Sequence, residues 1–327
     1  MRSNLHVDVQ LRTRWPWKAV VLSVIAFSVV SCSTLTAQQP RLPEARIIDV
    51  RSGGFIDERE LLRGLADVRF RLLGEVHDNP AHHEIRARLL RELAATGKRP
   101  TVVFEQFDLG NDAALIAAQA AGADAEQLAE AGHLDRRSWL WPLHKPVLDA
   151  ALDMRLPIRA GNLARTSLRS GGQALLDDNG PGAERLRAAR WTEAQAALLQ
   201  ADIVGSHCGS LPPAAVARVV AAQRMRDAAM AQALVDGANA DGAILIAGDG
   251  HVRADLGVPV YLHAPDQPRA DERSLSVGFI EVTPGDENAV DFPRQVVLGH
   301  PGFDYLWLTR APPREDPCER MPAPGVR

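Results

Sequence analysis

The 327 residues contain three cysteines, two tyrosines and no excess of positive charge, the formal net charge being -4. So few cysteines rule out a disulfide framework, although Cys208 and Cys318 can pair in an oxidising compartment. Without a basic surplus, or any run of Lys and Arg interleaved with aromatics, there is no field for phosphate backbones, and nucleic acid is excluded as a partner. No apolar run reaches bilayer-spanning length. No repeat of fixed period and no break in composition divides the chain, so 46% hydrophobic and 24% charged residues describe one ordinary globular domain. There is no HExxH helix, so any metal site has to be assembled from separated loops.

What is present begins at the amino end. Arg12, Arg14 and Lys18 precede an apolar run from Ala19 to Val30, the layout of a signal peptide. The run closes on Val29-Val30-Ser31-Cys32, which resembles the lipobox of bacterial lipoprotein precursors. That resemblance implies cleavage before Cys32 and a lipid on it; an ordinary secretory signal or an uncleaved anchor is the alternative, and both are also exported. Ser33, where aspartate would signal retention, favours an outer-membrane location facing the periplasm. The expected divisions are residues 1–31 as signal peptide, 32–41 as lipidated cysteine and polar tether, 42–311 as the folded domain and 312–327 as an unordered Pro-rich tail.

The domain reads as strand, turn and helix repeated. Apolar or β-branched runs at Val68 to Leu73, Thr101 to Phe104, Leu156 to Ala160 and Ala243 to Ala247 predict strands. Helical spacing predicts helices from Ala81 to Ala95, with Pro80 suited to a first helical position, from Asn111 to Ala121 and over 212–236. Ser274 to Val282 is expected as an antiparallel edge strand. Alternation of this kind implies an α/β fold, an open and mostly parallel sheet with helices on both faces.

In such a sheet, ligands bind beyond the carboxyl ends of the strands. Glu75, His77, Glu105, Asn162 and His251 all fall at such ends. Gly74-Glu75-Val76-His77 and Gly248-Asp249-Gly250-His251 repeat one pattern, a glycine with a histidine three residues on. The glycine admits backbone that a side chain would obstruct, and the histidine binds a metal or a proton near neutral pH.

Paired GxxH motifs with a glutamate between them resemble the Tiki superfamily, which includes TraB-related proteins, erythromycin esterases and Tiki metalloproteases. The landmarks Leu73 to Pro80 with His82 and His83, Val103-Phe104-Glu105, His207-Cys208-Gly209, Gln223, Arg226-Asp227-Ala228 and Ala247 to Arg253 resemble the ChaN family of haem-binding lipoproteins in order across most of the domain. Asp249 departs from that pattern, where asparagine is expected. The resemblance implies haem (iron protoporphyrin IX) as cofactor, a homodimer, and an outer-membrane transporter as partner in iron uptake.

On the helix after Pro213, the stripe Val216, Val219, Gln223, Asp227, Met230 and Leu234 places an amide and a carboxylate on an apolar face, so both need buried partners. Gln223, Arg226 and Asp227 are expected to support the site, with Arg226 or Arg253 pairing Asp227. His77, His83, His207, His251, Arg253 and Tyr261 are the candidate haem-binding residues; Tyr305 is expected to fill core space, and His133, His144, His263 and His300 to lie on the surface. Two functions stay open. One is a membrane-tethered haem-binding protein. The other is a Tiki-like hydrolase in which His77, Glu105 and His251 hold zinc or manganese, with Glu75 and Glu105 as the catalytic carboxylates.

Overall fold

Strands buried on both faces need helices above and below, and the helices here are amphipathic enough to supply them. A computed structural model describes residues 46–169, 180–267, 269, 272–282, 302–316, 318 and 319. The signal segment, Cys32 and the tether lie outside the described residues, as does His300. Among the described residues no helix is long and apolar enough to cross a membrane.

One sheet is built from β1 (Arg46–Asp49), β2 (Gly54–Ile56), β3 (Phe70–Leu73), β4 (Thr101–Asp108), β5 (Ile158–Asn162), β6 (Ala243–Ile246), β7 (Ser274–Val282) and β8 (Tyr305–Arg310). Their order is β2-β1-β8-β7-β3-β6-β4-β5. Every pairing from β8 to β5 is parallel, and β1 runs antiparallel to both β8 and β2. The open, mostly parallel sheet is therefore as expected. Ser274–Val282 is not: it is an interior strand, parallel to both neighbours, because Tyr305–Arg310 extends the sheet beyond it and buries its middle.

Side-chain alternation sorts the two layers. Leu73, Phe104, Ile158, Ile246 and Phe279 pack with α1 (Glu58–Ala66), α2 (Pro80–Ala95), α3 (Asp112–Ala120), α4 (Ala125–Ala131) and α5 (Lys145–Asp153). The opposite face, with Phe70, Leu72, Val103 and Leu245, is the second layer. It belongs to the helices after β5: α6 (Arg165–Arg169), α7 (Ala183–Ala188), α8 (Glu193–Ser206), α9 (Pro213–Gly237), α10 (Asp249–Val252) and α11 (Val258–Leu262). Of these, α9 and α11 supply most of the apolar side chains that meet the sheet.

The site follows from this wiring. Adjacent strands β3 and β6 send their chains to opposite faces, β3 into α2 and β6 into α10 and α11, which opens a crevice beyond their carboxyl ends. Asn79 caps α2 by accepting from Ala81 N at 3.0 Å, and its amide donates to Glu281 at the end of β7 at 2.7 Å, fixing the loop between. The Pro-rich tail, expected to be unordered, is pinned within its described part. Cys318 is disulfide-bonded to Cys208, and Arg314 pairs with Asp78 at 3.2 Å and with Glu281.

Candidate functional site

The glycines of the two GxxH motifs earn their place through close approach. A Cβ on Gly74 would lie 2.0 Å from Asp249 Oδ1 and 3.0 Å from the Val277 carbonyl oxygen; one on Gly248 would lie 2.9 Å from the His77 ring and 3.7 Å from Glu105 Oε2. The two loops interlock, with Asp249 N donating to the Glu75 carbonyl at 2.9 Å and Asp249 Oδ1 accepting from Phe279 N at 3.0 Å. Burial pushes the Asp249 carboxyl up to about 7, against the opposing Phe279 hydrogen bond. The obstructing carbonyl belongs to interior strand β7 and has no freedom to shift, so Gly74→Ala is expected to lower stability by about 1–3 kcal/mol, measured by urea unfolding.

Three of the expected residues converge as one chain of charge. His251, buried within the single turn of α10, sits between Asp227 (Nδ1 to Oδ1, 2.6 Å) and Glu105 (Nε2 to Oε1, 3.2 Å). Gln223 Nε2 lies 3.1 Å from the same Nδ1, and Glu105 Oε2 accepts from Gly248 N at 2.7 Å. Glu105 lies inside β4, where the β4–β5 register shifts, and not after the strand as expected. Burial alone disfavours an imidazolium, but the two carboxylates outweigh it and raise His251 to about 10. His251 and the Gly248 hydrogen bond hold Glu105 below the usual carboxylate range despite its burial. Asp227 thus pairs with His251, and with neither Arg226 nor Arg253 as expected.

These shifts set a pH dependence. The folded pKa of His251 exceeds its ordinary 6.5, so its contribution is whole below about pH 6.5 and is lost as pH rises through about 10. Asp227, raised by burial to about 6, has largely finished titrating by about pH 7 and Asp249, near 7, by about pH 8. Arg86, lowered by burial to about 9, acts in the opposite sense above that, so the His251 share is read as the difference between wild type and a His251 variant. The urea midpoint of the protein is expected to fall between about pH 7.5 and 8.5, and that of His251→Gln to show a weaker slope.

A second network supports His77. Its Nδ1 lies 2.6 Å from Glu75 Oε1, and Gln106 Nε2 donates to the same oxygen at 3.2 Å. Glu75 Oε2 meets the buried guanidinium of Arg86 and lies 3.2 Å from His83 Nδ1. His144, 3.8 Å from Glu75, is buried at 2% exposure with its ring 4.4 Å from that of His83. His144 is therefore no surface residue; His133 is exposed and His263 half-buried. Burial drives His83 down to about 4 and lowers His144 as well, which leaves Arg86 as the cation opposite Glu75 at neutral pH.

His77 is the accessible member, its side chain 45% exposed. A carboxylate on Nδ1 leaves Nε2 to act as a ligand, the orientation that metal-binding imidazoles take from their outer partners. With Trp139, whose indole meets the His77 ring edge-on at 5.1 Å, His77 lines a cleft of about 410 Å³ that also takes in Glu105, Asp108, Asn162, Arg165 and Arg226. Asn162, at the end of β5, donates to the Glu105 carbonyl at 3.0 Å.

Other expected ligands stand elsewhere. Tyr261 is fully buried on α11, its hydroxyl accepting from Arg224 Nε at 3.1 Å, and burial raises its pKa above the ordinary value, so no phenolate reaches the cleft. Arg253 pairs with Asp202 at 2.9 Å and Asp255 at 2.7 Å. His207 caps the end of α8 with Nδ1 on the Ile203 carbonyl at 2.8 Å. His83 lies beneath His77, its Nε2 on the His77 carbonyl at 3.0 Å. Met230 is core packing, and Tyr305 is half-buried against Gly64.

Among the described residues the group whose ligand atoms all lie within 4.8 Å is Glu75, His83 and His144, not His77, Glu105 and His251. The guanidinium of Arg86 already occupies that carboxylate, so a divalent ion there meets a fixed cation. Toward haem the cleft offers an exposed, carboxylate-oriented imidazole, an indole and two guanidiniums, beside the carboxylates of Glu105, Asp108 and Asp135.

Residues 61–262 match the family model described as haem-binding uptake, Tiki superfamily, ChaN. The structure of ChaN of Campylobacter jejuni, with haem bound cofacially, superposes with a TM-score of 0.62 at 18% identity, covering 81% of this chain and 97% of that one. A Bacillus cereus protein gives 0.42 at 12% identity (77% and 90% covered), and an erythromycin esterase in its open conformation 0.34 at 15% (72% and 76%). No curated protein sequence matches the chain.

Proposed function

Because this chain belongs to the haem-binding uptake family of ChaN type within the Tiki superfamily, we propose that it binds haem in the cleft beside Trp139, with His77 as an iron ligand. The observation that carries this reading is His77 itself, exposed at its outer face and held through Nδ1 by a buried carboxylate. Bound haem supplies iron held in a porphyrin plane. The chain's own part is to orient the imidazole through Glu75, to pair Glu75 with Arg86, and to offer the indole of Trp139 as an apolar wall.

Export with a lipid on Cys32, an outer-membrane location facing the periplasm and a role in iron uptake beside a transporter and as a homodimer belong to the same proposal. The Cys208–Cys318 disulfide supports an oxidising compartment. The hydrolase alternative draws on the convergence of Glu105 and His251 next to His77, but a metal at His251 has to displace a proton that two carboxylates hold there.

Hemin titrated into the mature protein is expected to give a saturable, shifted Soret band. A flat titration, with stoichiometric zinc or manganese in protein purified without chelator, overturns haem binding in favour of the hydrolase.

A further inference from the structure

Arg226 projects from α9, one residue before the buried Asp227 and therefore turned away from it along the helix, into the cleft that His77 lines. It is half-buried, yet among the described residues it forms neither a hydrogen bond nor an ion pair. A guanidinium carries five donors and is costly to remove from water without an acceptor. The nearby carboxylates are otherwise engaged or weakly disposed to serve it. Glu105 is taken by Gly248 N and His251, Asp227 by His251 and Asp135 by Ser138 N at 3.1 Å, while Asp108, which burial shifts toward its neutral form and Arg226 and Arg165 pull back, accepts a hydrogen bond from neither among the described residues.

A second guanidinium, Arg165, lines the same cleft from the start of α6, exposed and, among the described residues, held only by a 3.4 Å hydrogen bond to Ser138 Oγ. Burial disfavours the charge on Arg226 first, Glu105 favours it, and Arg165 stands close enough to oppose it. Two like charges gathered at one wall, with Asp108 within electrostatic reach of both but hydrogen-bonded to neither among the described residues, leave donors that an anionic group on a ligand can take up. Phosphate and carboxylate both match a guanidinium fork; a ligand whose other end meets an imidazole and an indole is a planar, largely apolar molecule with carboxylate arms.

We propose that Arg226 and Arg165 form a carboxylate subsite of the cleft, receiving the propionate groups of haem while His77 takes the iron. This rests on the haem reading and adds to it the end by which the ligand is grasped. Arg226 then acts in binding, and not as the partner of Asp227.

The test compares hemin with hemin dimethyl ester, which keeps the iron and the ring and loses both carboxylates. The wild-type protein is expected to bind hemin at least about tenfold more tightly than the ester, the size of a charge-assisted hydrogen bond. Arg226→Gln is expected to lose most of that preference by weakening hemin, Arg226→Lys to retain part of it, and Arg165→Gln to lose a smaller share. Urea midpoints of the variants show whether each is folded, and the wild-type comparison stands without them. Equal affinity of the wild-type protein for hemin and ester overturns the subsite while leaving haem binding intact. A loss in Arg226→Gln that is equal for both compounds overturns it too. Binding of neither compound overturns the haem reading and the subsite together.

Discussion

Arg86→Leu is expected to destabilise the protein by about 3–5 kcal/mol, enough to unfold a marginally stable domain at physiological temperature. Arg86 is fully buried, with its guanidinium against Glu75 Oε2 and 2.8 Å from His83 Nδ1. Leucine fills similar space, so the loss is electrostatic: Glu75, itself 2% exposed, is left as a buried carboxylate. Neither histidine rescues it at neutral pH, because burial holds both His83 and His144 well below their ordinary range. Arg86 feels the same burial, which lowers its pKa to about 9 against the pull of Asp249 and Glu105, yet it stays charged at pH 7. The double variant Arg86→Leu with Glu75→Gln should be less destabilised than the sum of its singles, since removing both charges leaves none uncompensated. Additivity in urea unfolding would show that the two do not act as a pair.

His77→Ala is expected to weaken hemin binding by about 100-fold or more, because the outer carboxylate that tunes a ligating imidazole alone is worth about 10–100-fold. The fold should be little changed. His77 is the exposed end of its network, and its removal leaves Glu75 with Arg86 and Gln106. Loss of hemin affinity with an unchanged urea midpoint therefore separates the binding role of His77 from the structural role of Arg86 beneath it.

The contrast between these two residues shows how far the sequence is legible. The GxxH pair announces itself because close loop approach demands glycine at fixed positions, and Gly74 and Gly248 meet Asp249 and His77 as that pattern requires. The polar interruptions of the apolar stripe on α9 both lie at His251, Asp227 buried and Gln223 half-buried. Arg86 left a faint signal, one helical turn beyond His83 on a buried face, but an arginine on a helix is usually solvated. Trp139 and His144 gave none. They arrive from the irregular segment between α4 and α5, where no periodicity reports which way a side chain points.

Strand order was similarly hidden. Alternation in Ser274–Val282 signals a strand and not its neighbours, and the partner Tyr305–Arg310 looks in isolation like an aromatic cluster. β1 and β2, with 4 and 3 residues, are too short for a pattern to emerge. Tyr261 misled for a chemical reason. Phenolate is a good ligand for ferric iron, but a phenol inside an apolar helix contact is kept neutral and hydrogen-bonded.

The most direct test of His77 as the iron ligand is imidazole rescue. His77→Gly is titrated with hemin, with and without free imidazole, and the Soret band is followed. Ligation through His77 predicts weak binding by the variant alone and recovery of both the affinity and the wild-type band position when imidazole fills the cavity. Binding of hemin by His77→Gly with wild-type affinity and an unchanged spectrum in the absence of imidazole would contradict it.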